Sequence, residues 1–127
     1  MSGKTFILDT NLIIYLSQEK MKITDFASKG DRLCISIISY MEALGYPFKN
    51  NEEELIVKSL CDTCEVFNLT KQITDKTIEI RKQTKIKLPD AIIGASALVN
   101  NSTLVTANEN DFKLIEGISI INPSPFK

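Results

Sequence analysis

The stretch "FILDTNLIIYL", residues 6–16, decides how the rest of the chain is read. Phe6, Ile7 and Leu8 make an apolar run that stops on the carboxylate of Asp9; Thr10 and Asn11 follow, and a second apolar run opens at Leu12. With Thr5 ahead of it, the first run is too short for a helix and reads as a buried strand, whereas Asn11 to Ser17 reads as a helix. A charged side chain is seldom buried without a partner. Asp9 therefore either caps the new helix, which Asp-Thr-Asn suits, or stands at the mouth of a site and binds something.

The same alternation runs outward from this stretch. Lys22 to Ser28 reads as a short helix stopped at Gly30. "LCISI" (33–37) is the next strand, and Ser39 to Leu44 is a helix ended by Gly45, with Pro47 beyond. "NEEELIVKSLC" (51–61) is a helix whose acidic first turn suits the helix dipole. "EVFNL" (65–69) is a third strand and "KQITDKTIEIRKQT" (71–84) a helix. "PDAIIGASALVNN" (89–101) is a helix with Pro near its first turn, and "STLVTA" (102–107) and "ISIIN" (118–122) are the last strands. Strands that are apolar on both faces and alternate with helices imply an α/β fold. The expectation is one domain over residues 1–127, with a central parallel sheet of about five strands flanked by helices on both faces. In such sheets ligands bind beyond the carboxyl ends of the strands, where the strand order reverses. Asp9 ends the first strand and Thr106 the fourth, with Asn108 and Asp111 just after it.

Composition narrows the chemistry. At 43% hydrophobic and 24% charged, 127 residues can bury a real core. The formal net charge is −1, so any nucleic-acid contact needs a local basic patch. No apolar run has the length of a membrane span, and no basic segment followed by an apolar one opens the chain, so a reduced, cytoplasmic setting is expected. The chain has no histidine. That removes Ser-His-Asp and Cys-His machinery, the imidazole base and the usual His-containing zinc sites. Of the three cysteines, Cys61 and Cys64 have redox or metal spacing in "CDTC", but they end a helical pattern rather than open one, and only Cys34 remains as a further thiol. Structural or surface thiols are the expectation.

Four acids stand out. Asp9 and Asp111 have been placed; Glu42 lies in "SYMEALGY" among Ile38, Met41 and Leu44, and Asp90 in "LPDAIIGASAL". On a helix Asp90, Gly94 and Ala97 share one small face, which would let a ligand or another backbone approach the carboxylate. Each acid also has a plainer reading. Asp90 could stabilise unpaired amides at a helix start, Glu42 could pair with a lysine, and Asp111 could cap a short helix in "DFKLI". Packed carboxylates, however, resist ionising together unless a cation lies among them, and oxygen-only ligands favour Mg²⁺ or Mn²⁺.

Over nearly its whole length the chain resembles PIN-domain proteins, specifically the VapC-type toxin ribonucleases. The resemblance rests on the order and spacing of "FILDTNLIIYL", "ISIISYMEALGYP", "LPDAIIGASAL" and "LVTANENDFKLI". By position, Asp9, Glu42, Asp90 and Asp111 match the family's acidic quartet, and Thr10, Asn11, Thr106 and Asn108 match the polar residues that support it. The resemblance implies a metal-dependent endoribonuclease, usually a homodimer, inhibited by a small antitoxin. Phosphodiester cleavage needs an activated water and a stabilised leaving oxygen, which one or two Mg²⁺ ions can supply. Asp9, Asp90 and Asp111 are then the inner ligands, and Glu42 binds through water or orients the attacking water. Thr106 and Asn108 hydrogen-bond the carboxylates. An acidic pocket also accepts a cationic plug, so an antitoxin is expected to place Arg or Lys among the four acids.

RNA must still be drawn to an acidic cleft. Arg81, Lys82, Lys85 and Lys87 gather just before Asp90, with Lys4, Lys20 and Lys22 as further candidates. They either track phosphates or form a solvated face. Tyr15 and Tyr40 either stack on bases or belong to the core. Two other classes compete: a PIN-fold interaction module without cleavage, and a phosphoaspartate protein. The second is disfavoured because Asn11 stands where such phosphatases usually carry another carboxylate.

Overall fold

The computed structural model describes residues 3–124. Its five strands are β1 (Thr5–Leu8), β2 (Arg32–Ser36), β3 (Glu65–Phe67), β4 (Thr103–Val105) and β5 (Ile120–Ile121). All pairs are parallel, in the order β3-β2-β1-β4-β5. The helices are α1 (Thr10–Ser17), α2 (Ile37–Leu44), α3 (Asn51–Asp62), α4 (Lys71–Gln83) and α5 (Leu88–Val99). The expected α/β architecture is the one observed.

Side-chain alternation along β1 divides the core. Phe6 and Leu8 face one layer, with Leu12 and Ile13 of α1, Ala43 of α2 and Val57 and Cys61 of α3. Ile7 faces the other layer, with Ile73 and Ile80 of α4 and Ala91, Ile93 and Ala95 of α5. Because β1 is buried on both faces, its sequence shows no polar alternation. The chain first builds outward on one side of β1, to β2 and β3. It then crosses over and builds β4 and β5 on the other side. The strand order thus reverses between β1 and β4, the place where α/β sheets open a crevice at their carboxyl ends.

Local chemistry explains where the elements depart from expectation. α2 begins two residues before Ser39, because the Ser36 hydroxyl accepts from the Ile38 amide and draws Ile37 out of the strand. The helix expected over Lys22–Ser28 is only a 3₁₀ turn, Ile23–Asp25. Asp25 accepts from its own N-cap amide, Lys22, and Asp31 accepts from the Ser28 and Lys4 amides; these side chains draw the local backbone amides into turns. Gly30 at φ +97° completes the turn. "DFKLI" forms turns rather than a helix, and Asp111 ends a 3₁₀ segment, Glu109–Asp111, so the helix-cap reading of Asp111 falls.

Candidate active site

Asp9 leaves the end of β1 into the crevice between β1 and β4. Its backbone continues the sheet, the amide donating to Val105 O at 3.1 Å, and its carbonyl accepts from Leu12 and Ile13 to start α1. Its side chain makes no N-cap hydrogen bond to that helix; the backbone N–H of Thr10, the first of α1, only lends its charge some support, so capping is not the main role of Asp9. Instead Asp9 is only 5% exposed, and its carboxylate takes a hydrogen bond from Thr106 Oγ1 at 2.7 Å. The backbone N–H of Asn108, not its side chain, donates to the same Thr106 oxygen at 2.9 Å, which fixes the hydroxyl's direction; Asn108 thus reaches the Asp9 carboxylate through Thr106 rather than by the direct bond expected. Burial pushes the Asp9 pKa up to about 6, Thr106 opposes this, and the charges of Asp90 and Glu42 add to it.

The other acids arrive on separate elements. Glu42 lies on the solvent-facing side of α2, where Thr10 Oγ1 donates to its Oε1 at 2.7 Å and sits 3.0 Å from Ser39 Oγ. No lysine pairs with it among the described residues, which removes the ion-pair reading of Glu42. Asp90 stands in the first turn of α5, half-buried. Burial raises its pKa, Asp111 and Glu42 raise it further, and Lys87 opposes them. Asp9, Thr10, Asn11, Glu42 and Asp90 share the wall of one cavity of about 730 Å³. Asp111 does not line that wall; it is exposed in its 3₁₀ turn and acts on Asp90 through its charge. Among the described residues no three acids lie close enough together to hold a metal ion as they stand. The donor set nevertheless suits a hard divalent ion. It is all oxygen, and the neighbouring acidic charges disfavour ionisation of Asp9 and of Asp90, a strain that a cation among them would relieve.

Several expectations move. The small face of α5 does not open toward a ligand: a Cβ on Gly94 would lie 2.4 Å from Ile115 Cδ1, so Ile115 fills that space. Arg81, Lys82, Lys85 and Lys87 are all exposed, but none lines the cavity, and of the four only Lys87 acts electrostatically on Asp90. Lys4, Lys20 and Lys22 do not line it either. Tyr15 and Tyr40 pack against the core, each under a lysine ammonium 5.6 Å from its ring centre. The thiols are structural: Cys34 and Cys61 are buried, and desolvation pushes Cys34 up to about 12 and Cys64 up to about 11.

The sequence reading missed the rest of the cavity lining. It is built by Tyr46, Phe48 and Lys49 from the loop after α2, by Glu53, Ile56 and Val57 of α3, and by Ile14, Ser17 and Gln18 around the end of α1. The available signal was "GYPFKN", a loop carrying two aromatic residues and a lysine between a helix-stopping Gly and a helix-capping Asn. Among the described residues no helix is long and apolar enough to cross a membrane.

A family model for the PIN domain matches residues 6–118. Ribonuclease VapC1 of Rickettsia felis is 28% identical over 131 residues, which cover 93% of this chain and 96% of the relative. The structure of VapBC-1 from nontypeable Haemophilus influenzae matches with a TM-score of 0.80 at 27% identity, over 94% of this chain and 98% of that one. The DNA-bound VapBC from Salmonella typhimurium matches with a TM-score of 0.77 at 26% identity, over the same shares of the two chains.

Proposed function

The chain belongs to the PIN-domain family, and from that membership we propose that it is a divalent-metal-dependent endoribonuclease, the toxin of a toxin–antitoxin pair. The observation that carries the reading is the environment of Asp9. A carboxylate is buried at the reversal point of the sheet, locked by Thr106, and faced by two further acids from α2 and α5. A purely structural site would be expected to offer a cation from the chain itself. The names of the relatives support the activity and the pairing: one is a ribonuclease, and a further matched structure, from Klebsiella pneumoniae at 27% identity, is a toxin–antitoxin complex.

Asp9 and Asp90, with Asp111 from its 3₁₀ turn, are the residues that would hold Mg²⁺ or Mn²⁺. When bound, the metal would lower the pKa of a water and stabilise charge on the leaving oxygen. The protein's own part is positional. Thr106, held by the Asn108 amide, keeps Asp9 in one rotamer. Thr10 holds Glu42 from the opposite side, where it can accept a proton from the attacking water. Asn11 at the rim offers an amide to a phosphate oxygen. The same acids would accept an antitoxin's Arg or Lys. Three free thiols suit a reducing, cytoplasmic setting. A homodimer would cover exposed apolar side chains of α4 and α5 such as Ile78 and Leu88.

The test is direct. Purified protein with Mg²⁺ or Mn²⁺ should cut RNA, and chelation should stop it. Asp9→Asn should stop it with the fold intact. Expression of the chain alone should arrest growth, and the product of an adjacent small gene should relieve the arrest. A folded, metal-loaded chain that cuts no host RNA would return the non-cleaving interaction module.

A further inference from the structure

The loop Gly45–Asn50 is held at both ends, and three of its residues, Tyr46, Phe48 and Lys49, line the same cavity as Asp9, Glu42 and Asp90. Gly45 closes α2 against Met41 O, where a Cβ would lie 2.7 Å from that oxygen. Asn50 caps α3 by accepting from the Glu53 amide at 2.8 Å. Between these fixed ends the Phe48 amide donates to Tyr46 O at 2.9 Å, and the Phe48 ring packs on the core. Phe48 in turn meets the Tyr46 ring edge-on, with centroids 5.4 Å apart. Tyr46 itself remains 58% exposed while lining the cavity. Lys49 lines the same cavity and makes no ion pair among the described residues.

We propose that this loop is a nucleotide subsite: Tyr46 stacks a base of the single-stranded substrate and Lys49 contacts a neighbouring phosphate, seating the strand across the acidic end. The inference rests on the ribonuclease reading and adds to it the place where the strand is gripped. An exposed ring braced edge-on by a half-buried one has less freedom to lose on stacking. Every base offers a π-face, so the contact tolerates sequence.

The chain has no tryptophan, so Tyr46→Trp gives a single reporter at the subsite. Titrating this variant with a 12-nucleotide single-stranded RNA, with divalent ions chelated to prevent cutting, should quench its emission as the base stacks. In parallel, Tyr46→Ala should weaken binding of the fluorescein-labelled RNA by roughly 5- to 100-fold, with Tyr46→Phe close to wild type. Lys49→Ala should lower the slope of log affinity against log salt by about 0.7. Wild-type binding by Tyr46→Ala, or an emission that RNA leaves unchanged, would overturn the subsite while leaving the ribonuclease reading intact. Quenching by the adjacent gene's product but not by RNA would assign the loop to the partner and overturn it too. No RNA binding by the wild-type chain would overturn both.

Discussion

At Asp9 burial and charge are most at odds. The unfolded carboxyl titrates near 3.8 and the folded one at about 6, so the folded protein holds the proton more tightly. The stability this contributes is present below the unfolded value and is lost as pH rises through the folded one. By pH 7 the loss is roughly 3 kcal/mol, since each pKa step is worth 1.36. Asp9→Asn removes the charge and keeps an oxygen for Thr106. It should therefore raise the metal-free protein's stability at pH 7 by roughly 1–3 kcal/mol and change it little at pH 4. Urea unfolding at the two pH values checks this; an equal loss at both would mean that shape, not charge, governs the position. Thr106→Val should act in the other direction, because the Asp9 charge loses its strongest support. The pKa of Asp9, read by carboxyl carbon NMR, should rise further. Asp9 and Thr106 were legible in the sequence because each ends an apolar strand run, and Asn108 because it follows just after and matches the family's pattern. Ser39, which shares the Thr10–Glu42 network, was not, since a serine inside a helix carries no such mark.

At the scale of elements, the helices were legible where an acidic first turn or apolar spacing marked them, as in α3 and α4, and the structure adds their caps, Asn50 and Thr70. They were not legible where side chains compete for the backbone, as Asp25 and Asp31 do before β2. Gly94 shows how one small residue supports two readings. Sequence suggests room for a ligand, but the structure fills that room with Ile115. Gly94→Ala should accordingly destabilise the fold by roughly 1–3 kcal/mol through overpacking. Ile115→Val, which removes the encroaching Cδ1, should recover part of that loss in the double variant. Additive losses in thermal unfolding would show that the two positions do not meet. The segment between α4 and α5 separates its lysines in the same way. Lys87, which acts on Asp90 from the N-cap of α5, should matter most to RNA binding. Lys87→Ala should weaken RNA binding and flatten its salt dependence, while Arg81→Ala and Lys82→Ala, on the last turn of α4, should do less. Equal effects from all three would mean that the whole run tracks the strand.

For the whole molecule, the decisive feature is that the sheet reverses at β1, which only the complete strand order reveals. Parallel pairing could be read from apolar runs, but which strand lies beside β1 is set by crossovers between distant segments. The joining of the Tyr46 loop to the acids depends on the same assembly, which is why that wall of the cavity was invisible in one dimension. The reversal brings residues 9, 42 and 90 around one cavity, with 111 acting on Asp90 from outside it, and leaves them to repel one another. A ligand that binds only the folded chain stabilises it by mass action, by about 2.7 kcal/mol at a hundredfold excess over Kd. Mn²⁺ or Mg²⁺ should therefore raise the unfolding temperature of the wild-type protein at pH 7, and the rise should shrink below pH 6, where protons compete for Asp9. In Asp9→Asn the metal-free protein should unfold at a higher temperature than wild type, yet gain little from added metal. Scanning calorimetry of both proteins, with and without the ion, separates the two effects. A metal-induced rise that survives Asp9→Asn unchanged would place the ion elsewhere and break the link between the buried carboxylate and the proposed chemistry.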